Sequence, residues 1–170
     1  MSELRTNKIY PRDGLPAGAS GGGIIQVVQN IQGLGQVNSS TYGTAEYDLG
    51  LSCTITPQRS DSKILINANW PAIYEGAFGT QYFLNRGTTH IHEYQVYHAT
   101  TSWTNAYPNM MFLDSPATTS PVTYKITVQV TSSADLRTNY NATTSDDGTV
   151  HGELIGYGSR STMLLMEISG

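Results

Sequence analysis

His90 and His92, in the segment His90-Ile91-His92, are the two histidines that lie closest together in the sequence. Residues two apart on a strand project from the same face, so both imidazoles could bind one metal ion, and a threefold axis would bring six together. Glu93 and Tyr94 continue an ordinary polar strand pattern. We therefore expect solvent-facing or hydrogen-bonded histidines, with a shared transition-metal ion at His90 and His92 as the alternative, and we expect no cofactor.

The acidic residues form no recognisable catalytic motif. The segment Asp146–Gly148 places two adjacent acids before a glycine, which is typical of a turn, and too few carboxylates lie nearby for a calcium site. A polysaccharide-degrading enzyme would need two acids facing each other across a groove. The sequence does not show that its candidates meet, and we expect no enzymatic activity. Those candidates are Glu75, Glu93 and Asp114.

The single cysteine, Cys53, excludes an intramolecular disulfide framework. It alternates with Leu51 and Ile55, which predicts a small, buried apolar side chain rather than a nucleophile.

Four aromatic residues lie in segments rich in Gly, Thr, Asn and Pro, where loop geometry would expose their rings. Exposed rings beside amides and hydroxyls can stack on sugars and hydrogen-bond their hydroxyls, so these four are candidate contacts to a glycan receptor. The alternative is that they cover the ends of the domain or contact a neighbouring subunit. They are Tyr74, Phe78, Trp103 and Tyr107.

The composition favours strands and excludes two classes of partner. Charged residues are only 13%, while 17 Gly and 11 Tyr suit turns and pleated, half-buried surfaces better than helix surfaces. Nine Lys plus Arg and a formal charge of −4 argue against neutralisation of nucleic-acid phosphates. No apolar run is long enough to span a bilayer, so we expect neither nucleic acid nor membrane as a partner.

Period-two alternation recurs from residue 24 to the end of the chain. Val122–Thr131 is the cleanest case, with Val, Tyr and Ile on one face and Thr, Lys and Gln on the other. No helical period separates the strands, so the sequence predicts an all-β, antiparallel, jelly-roll-like sandwich of about eight strands. The other candidate strands are 24–31, 51–56, 62–70, 81–85, 91–98, 110–113 and 161–168.

Residues 1–23 differ from the rest of the chain, because Pro11–Gly23 (PRDGLPAGASGGG) has the composition of a linker. This predicts an N-terminal arm with a Gly-rich hinge over 1–23 and a sandwich domain over 24–170. The arm carries larger apolar side chains and cations than a spacer needs, so we expect it to anchor the domain on a partner with an acidic surface. The anchoring candidates are Leu4, Arg5, Lys8, Ile9, Tyr10 and Arg12.

The strands near both ends of the domain are apolar on both faces. This is expected when identical sandwiches pack side against side, in a trimer or in a dimer. The candidate interface residues are Ile25, Val27, Ile31, Leu164, Leu165 and Met166.

The opening SELRTNKIYPRDGLPAGASGGGIIQVVQ combines a short polar segment, a Gly-rich hinge and an IIQVVQ strand, and the chain ends in STMLLMEISG. With Ser62–Ile66 and Tyr82–Gly87, these segments resemble the virion proteins of tailed bacteriophages, especially marine and cyanobacterial phages. The resemblance implies a homotrimeric sandwich that is synthesised in the host cytoplasm and built into the virion.

The resemblance implies a short tail fibre or tail-tip adhesin, whose arm docks on a tail or capsid socket and whose trimeric sandwich binds a host-surface glycan. The alternative is a head-decoration or cement protein or head fibre, with the arm across capsid subunits. A cellular carbohydrate-binding module is a further alternative.

Overall fold

The computed structural model describes residues 23–32, 38–42, 44–75, 78–99, 104–131, 134–138 and 160–169, with backbone only at 38–42, 73–75, 104–105 and 134–138. All regular structure in these ranges is β-strand, and none of it is a helix long and apolar enough to cross a bilayer. The strands are β1 (Ile24–Ile31), β2 (Asn38–Tyr42), β3 (Tyr47–Ile55), β4 (Lys63–Asn69), β5 (Ala72–Glu75), β6 (Phe78–Arg86), β7 (Thr89–His98), β8 (Thr104–Ala106), β9 (Asn109–Asp114), β10 (Val122–Val130), β11 (Ala134–Thr138) and β12 (Thr162–Ile168).

Two four-stranded antiparallel sheets face each other. The front sheet has the order β1-β12-β4-β9, and the back sheet has the order β3-β10-β6-β7. β1 and β12 of the front sheet contact β3 of the back sheet, and β9 contacts β7 at the other margin. The predicted all-β sandwich is therefore confirmed, while the threefold assembly stays a prediction.

The core lies between these sheets, because the period-two alternation sends every second side chain inward. Ile64 and Ile66 of β4 face Tyr124 and Ile126 of β10 from opposite sheets, and all four side chains are fully buried. Trp70 packs edge-on against Tyr82, with ring centroids 4.9 Å apart.

A smaller end sheet, with the order β2-β11-β5-β8, joins the two large sheets at one end. β5 and β8 extend the β4–β9 pair of the front sheet, and β2 and β11 extend the β3–β10 pair of the back sheet. Pro71 and Pro108 interrupt the front pair, since proline has no N–H to donate to a ladder. The sequence prediction missed these four short strands, and residues 1–22 of the predicted arm lie outside the described residues.

Candidate functional site

The outer face of the front sheet carries a continuous row of apolar side chains. Val27 on β1 pairs with Met166 on β12, Met166 with Leu65 on β4, and Leu65 with Leu113 on β9. Residues paired directly across antiparallel strands share a face, so the four side chains form one row that crosses the whole sheet. Val27 is 55% exposed and Leu113 is 46% exposed.

Further apolar residues flank this row on the same face of the sheet. In the next row, Leu164 and Met111 alternate with the polar Gln29 and Asn67, and Met111 is 64% exposed. On the other side of the first row, Ile24 pairs with Ile168. Together these residues form what we call the apolar face. It comprises Ile24, Val27, Ile31, Leu65, Met111, Leu113, Leu164, Met166 and Ile168.

Asparagine and threonine side chains border the apolar face toward the end sheet. Asn69 Nδ2 donates to Thr162 Oγ1 at 2.7 Å, and Asn109 Nδ2 donates to Asn67 Oδ1 at 2.8 Å. Lys63 is the one charged residue on this outer face in the described part of the chain. A contiguous apolar surface with a polar border is the usual anatomy of a protein–protein interface.

A buried carboxylate, Glu167, holds the edge strand of this face in place. Its Oε2 accepts a hydrogen bond from Gln26 Nε2 at 2.6 Å, and its Oε1 accepts from the backbone N–H groups of Gln58 at 2.8 Å and Arg59 at 3.3 Å. Burial raises the pKa of Glu167, but the donated hydrogen bonds outweigh burial and hold its pKa below the ordinary value. The ionised carboxylate thereby joins β1, β12 and the loop after β3.

Four of the six predicted interface residues lie on the apolar face: Val27, Ile31, Leu164 and Met166. The prediction for Leu165 is wrong, because this side chain faces inward and is fully buried in the core. Ile25 is also displaced, since the register shift between Ile24 and Gln26 makes it the extra residue of a β-bulge. Ile24 takes its place on the outer face.

Besides Ile24, the sequence prediction missed Ile168, Leu65, Met111 and Leu113. The signal was present, because Lys63–Ile66 (KILI) and Asn109–Leu113 (NMMFL) interrupt the polar alternation expected for a strand with one wet face. The same signal marks β12, whose apolar residues also occupy both faces of the strand.

The two histidines lie on opposite faces of β7, although their spacing predicted a shared face. A register shift between Leu84 and Asn85 pairs His92 with Leu84 on the inner side and His90 with Asn85 on the outer side. His90 stacks on Phe83, with centroids 4.3 Å apart, and His92 stacks on Phe112, with centroids 5.0 Å apart. The bulge at Ile91 therefore separates the imidazoles, and no group of three or more potential ligands gathers among the described residues.

On the outer side of the back sheet, His90 belongs to a hydrogen-bonded polar cluster. Its Nε2 lies 3.0 Å from Glu46 Oε2, Thr127 donates to the same carboxylate, and Asn85 Nδ2 donates to Thr127 Oγ1 at 2.8 Å. The hydrogen bond from Thr127, together with His90, holds the pKa of Glu46 below its usual value. These contacts explain the histidine without a metal ion.

The predicted glycan contacts fall in different environments. The prediction for Phe78 is wrong, because it lies in β6, is 2% exposed and packs in the core beside His98, with ring centroids 5.4 Å apart. Tyr107 is 75% exposed at the turn between β8 and β9. The backbone of Tyr74 lies in β5, but its side chain is outside the described part, as is Trp103.

The anchoring candidates also lie outside the described residues. They are Leu4, Arg5, Lys8, Ile9, Tyr10 and Arg12.

The structure also locates the candidate catalytic acids and the single cysteine. Asp114 is buried against Arg86 and Tyr124, whereas Glu93 is exposed on the outer side of the back sheet, so these two acids do not face each other across a groove. The side chain of Glu75 is outside the described part. Cys53 is buried, as predicted, and burial raises the pKa of its thiol.

Neither a family model nor a curated protein matches the chain. Among solved structures, chains of infectious bursal disease virus are similar to it. A chain of the viral particle is 13% identical, with a TM-score of 0.39, over 84% of this chain and 38% of that one. A chain of the Gx strain is 14% identical, with a TM-score of 0.39, over 85% and 38%. A chain of the VP2 subviral particle is 13% identical, with a TM-score of 0.40, over 86% and 38%. This chain thus spans a little over a third of the length of those viral chains.

Proposed function

We propose that this chain is a structural virion protein whose sandwich packs against copies of itself through the apolar face. The observation that carries the proposal is the row Val27–Met166–Leu65–Leu113, which crosses all four strands of the front sheet without a polar side chain. Full burial of one such aliphatic side chain stabilises an assembly by about 1.5–3 kcal/mol before the cost of association. If no partner covered this row, its side chains would remain in contact with water and this stabilisation would not be gained.

The partner we infer is a second copy of this chain, because the face is almost free of charge. Two identical faces can meet without like-charge repulsion, since Lys63 is the one charged side chain among its described residues and lies at its margin. In a closed threefold ring the three faces would converge on the axis, with one part of each face packed against a different part of its neighbour's face.

The finer proposal is a homotrimer that belongs to a short tail fibre or tail tip and projects toward the host surface. The predicted arm, with Leu4, Arg5, Lys8, Ile9, Tyr10 and Arg12, would dock on a tail or capsid socket, and it joins the domain at β1, the edge strand of the apolar face. The resemblance of the two chain ends to tailed-phage virion proteins supports this proposal. A capsid decoration protein, with the arm across capsid subunits, is the second candidate. We also propose that the chain has no enzymatic activity.

The assembly proposal is tested by the mass of the full chain in solution, measured by light scattering after size exclusion. We expect a trimer for the parent chain and a monomer for Val27→Lys and Leu113→Lys, because each substitution places a charge in the apolar row. Thr54→Lys is the matched control, since Thr54 is exposed in a strand of the back sheet, and it should stay trimeric. A monomeric parent chain would refute self-assembly, and a dimer would refute the threefold arrangement.

The virion proposal is tested by immunogold labelling of phage particles purified from the source of this sequence. Labelled tail tips would support the tail role, and labelled capsids would support decoration instead. A chain without residues 1–18 should fold but should not join particles. Particles without this protein would overturn the virion proposal.

A further inference from the structure

The outer side of the back sheet has a different character from the apolar face. It contains a cleft of about 220 Å³ that is lined mostly by amide and hydroxyl side chains. The cleft is lined by Thr44, Gly79, Gln81, Gln95, Gln129, Val130 and Thr131. None of the described lining residues is charged, so they offer hydrogen bonds rather than ion pairs.

Three glutamines form a row along the cleft. Gln129 on β10 pairs with Gln81 on β6, and Gln81 pairs with Gln95 on β7. Gln129 Nε2 donates to the backbone oxygen of Thr44 at 2.7 Å, and Gln81 Nε2 donates to Glu93 Oε2 at 2.9 Å. These bonds fix two of the amides, whereas Gln95 is exposed on the edge strand.

The next row of the back sheet contains an exposed aromatic ring, that of Tyr97, opposite a glycine, Gly79. Tyr97 pairs with Gly79, lies on the same side of β7 as Gln95 and is 71% exposed. Gly79 N donates to Thr131 Oγ1 at 2.9 Å, and a Cβ at position 79 would lie 3.0 Å from Thr131 Cγ2. Glycine therefore permits this close approach and leaves the floor of the cleft open beside the tyrosine.

We propose that this cleft binds a neutral oligosaccharide. A glutamine amide presents one acceptor and two donors, which suits neighbouring sugar hydroxyls, since each hydroxyl can both donate and accept. The exposed ring of Tyr97 offers an apolar platform with a polar tip to the C–H face of a sugar. The Glu93 carboxylate borders the cleft and repels acidic sugars.

The proposed glycan site lies on the opposite side of the sandwich from the apolar face, because the two features occupy the outer faces of different sheets. Assembly would therefore leave the cleft free, and several copies in one particle would strengthen weak single contacts. The site does not depend on the proposed virion function, and it differs from the aromatic contacts predicted from the sequence.

The test is saturation-transfer NMR on the full chain, with maltohexaose, mannotriose and lacto-N-tetraose as neutral probes and sialyllactose as the acidic probe. We expect transfer to at least one neutral probe with a dissociation constant of about 1 mM, and weaker transfer to sialyllactose. Tyr97→Ala and Gln95→Ala should each weaken binding by about tenfold. Thr54→Ala, on the outer side of the back sheet at the end of β10 away from the cleft, should bind like the parent chain.

Three results would overturn the proposal. They are no transfer to any neutral probe at about 10 mM, undiminished binding by both cleft variants, and stronger binding of sialyllactose than of every neutral probe. The oligomer mass measured in parallel separates loss of the site from loss of assembly.

Discussion

The guanidinium of Arg86 on β6 binds the carboxylate of Asp114 on β9 across the interior of the sandwich. Arg86 Nη1 lies 3.1 Å from each carboxylate oxygen, and Tyr124 Oη donates to Asp114 Oδ2 at 2.8 Å. Burial, together with the neighbouring Asp114, raises the pKa of the Tyr124 phenol, so the hydroxyl remains a donor at neutral pH. This cluster links the front and back sheets at the end away from the end sheet.

Asp114→Ala should destabilise the domain by about 2–4 kcal/mol, because it leaves the Arg86 cation and the Tyr124 hydroxyl without their shared acceptor. The measurement is the free energy of unfolding from urea denaturation. Asp61→Ala is the control, since Asp61 pairs with Arg59 where both side chains are more than half exposed and water screens the pair. We expect no measurable change for the control, and an equal loss in both variants would contradict the role of the cluster.

The inward faces of the central strands could be predicted from the sequence. In β10, the alternation of Val122, Tyr124, Ile126 and Val128 with polar residues specifies which side chains are buried, and the structure buries all four. A period-two pattern is a local property, so it is readable wherever one face is buried and the other is wet.

The site could be predicted only in part, because its rows depend on pairing between distant strands. Val27 and Met166 are paired in the sheet but lie more than a hundred residues apart in the sequence. A local sequence pattern does not predict which of such distant residues become neighbours. Bulges cause the errors at Ile25 and at the two histidines. One extra residue at Ile25 or Ile91 reverses the side on which the next side chain lies, and this moved His90 and His92 apart.

The stability of the domain should depend on pH through Glu167. Its pKa in the folded state lies below the ordinary 4.5, so the stabilisation is complete above about pH 4.5 and is lost as the pH falls through the folded-state pKa. Glu167→Gln should remove this part of the pH dependence and cost about 1–3 kcal/mol at pH 7, because an amide N–H₂ would then face other donors.

Urea denaturation of both proteins from pH 7 to pH 3 tests this expectation. The free energies of unfolding of the parent chain and Glu167→Gln should converge toward low pH. The pKa of Glu46 is also lowered, so Glu46 adds its own pH dependence to both proteins. The quantity to compare is therefore the difference between their free energies of unfolding at each pH. A difference that does not change with pH would show that Glu167 carries no titration-linked stability.

Cys53 should be unreactive in the folded protein, because its side chain is buried and burial raises the pKa of the thiol. The measurement is the rate of reaction with a disulfide reagent such as dithionitrobenzoate, with and without denaturant. Thr54→Cys in a Cys53→Ala background is the matched control, since Thr54 is exposed on the neighbouring position of β3. The control should react at the rate of a free thiol. Rapid reaction of native Cys53 would show that β3 opens locally.

Gly87, in the turn between β6 and β7, has a φ of +61°, and a side chain there would meet open space. Substitutions at this position therefore report backbone strain without a steric clash. Gly87→Val should destabilise the domain by about 1–2 kcal/mol, because a β-branched residue resists the left-handed region. Gly87→Asn should cost less, since asparagine enters that region more readily, and both variants keep the hydrogen bond from the residue 87 N–H to the Thr123 oxygen. Urea denaturation measures both values. Equal losses for valine and asparagine would show that the turn relaxes away from positive φ. The pairing of β6 with β7, and not the turn, would then determine the register of this hairpin.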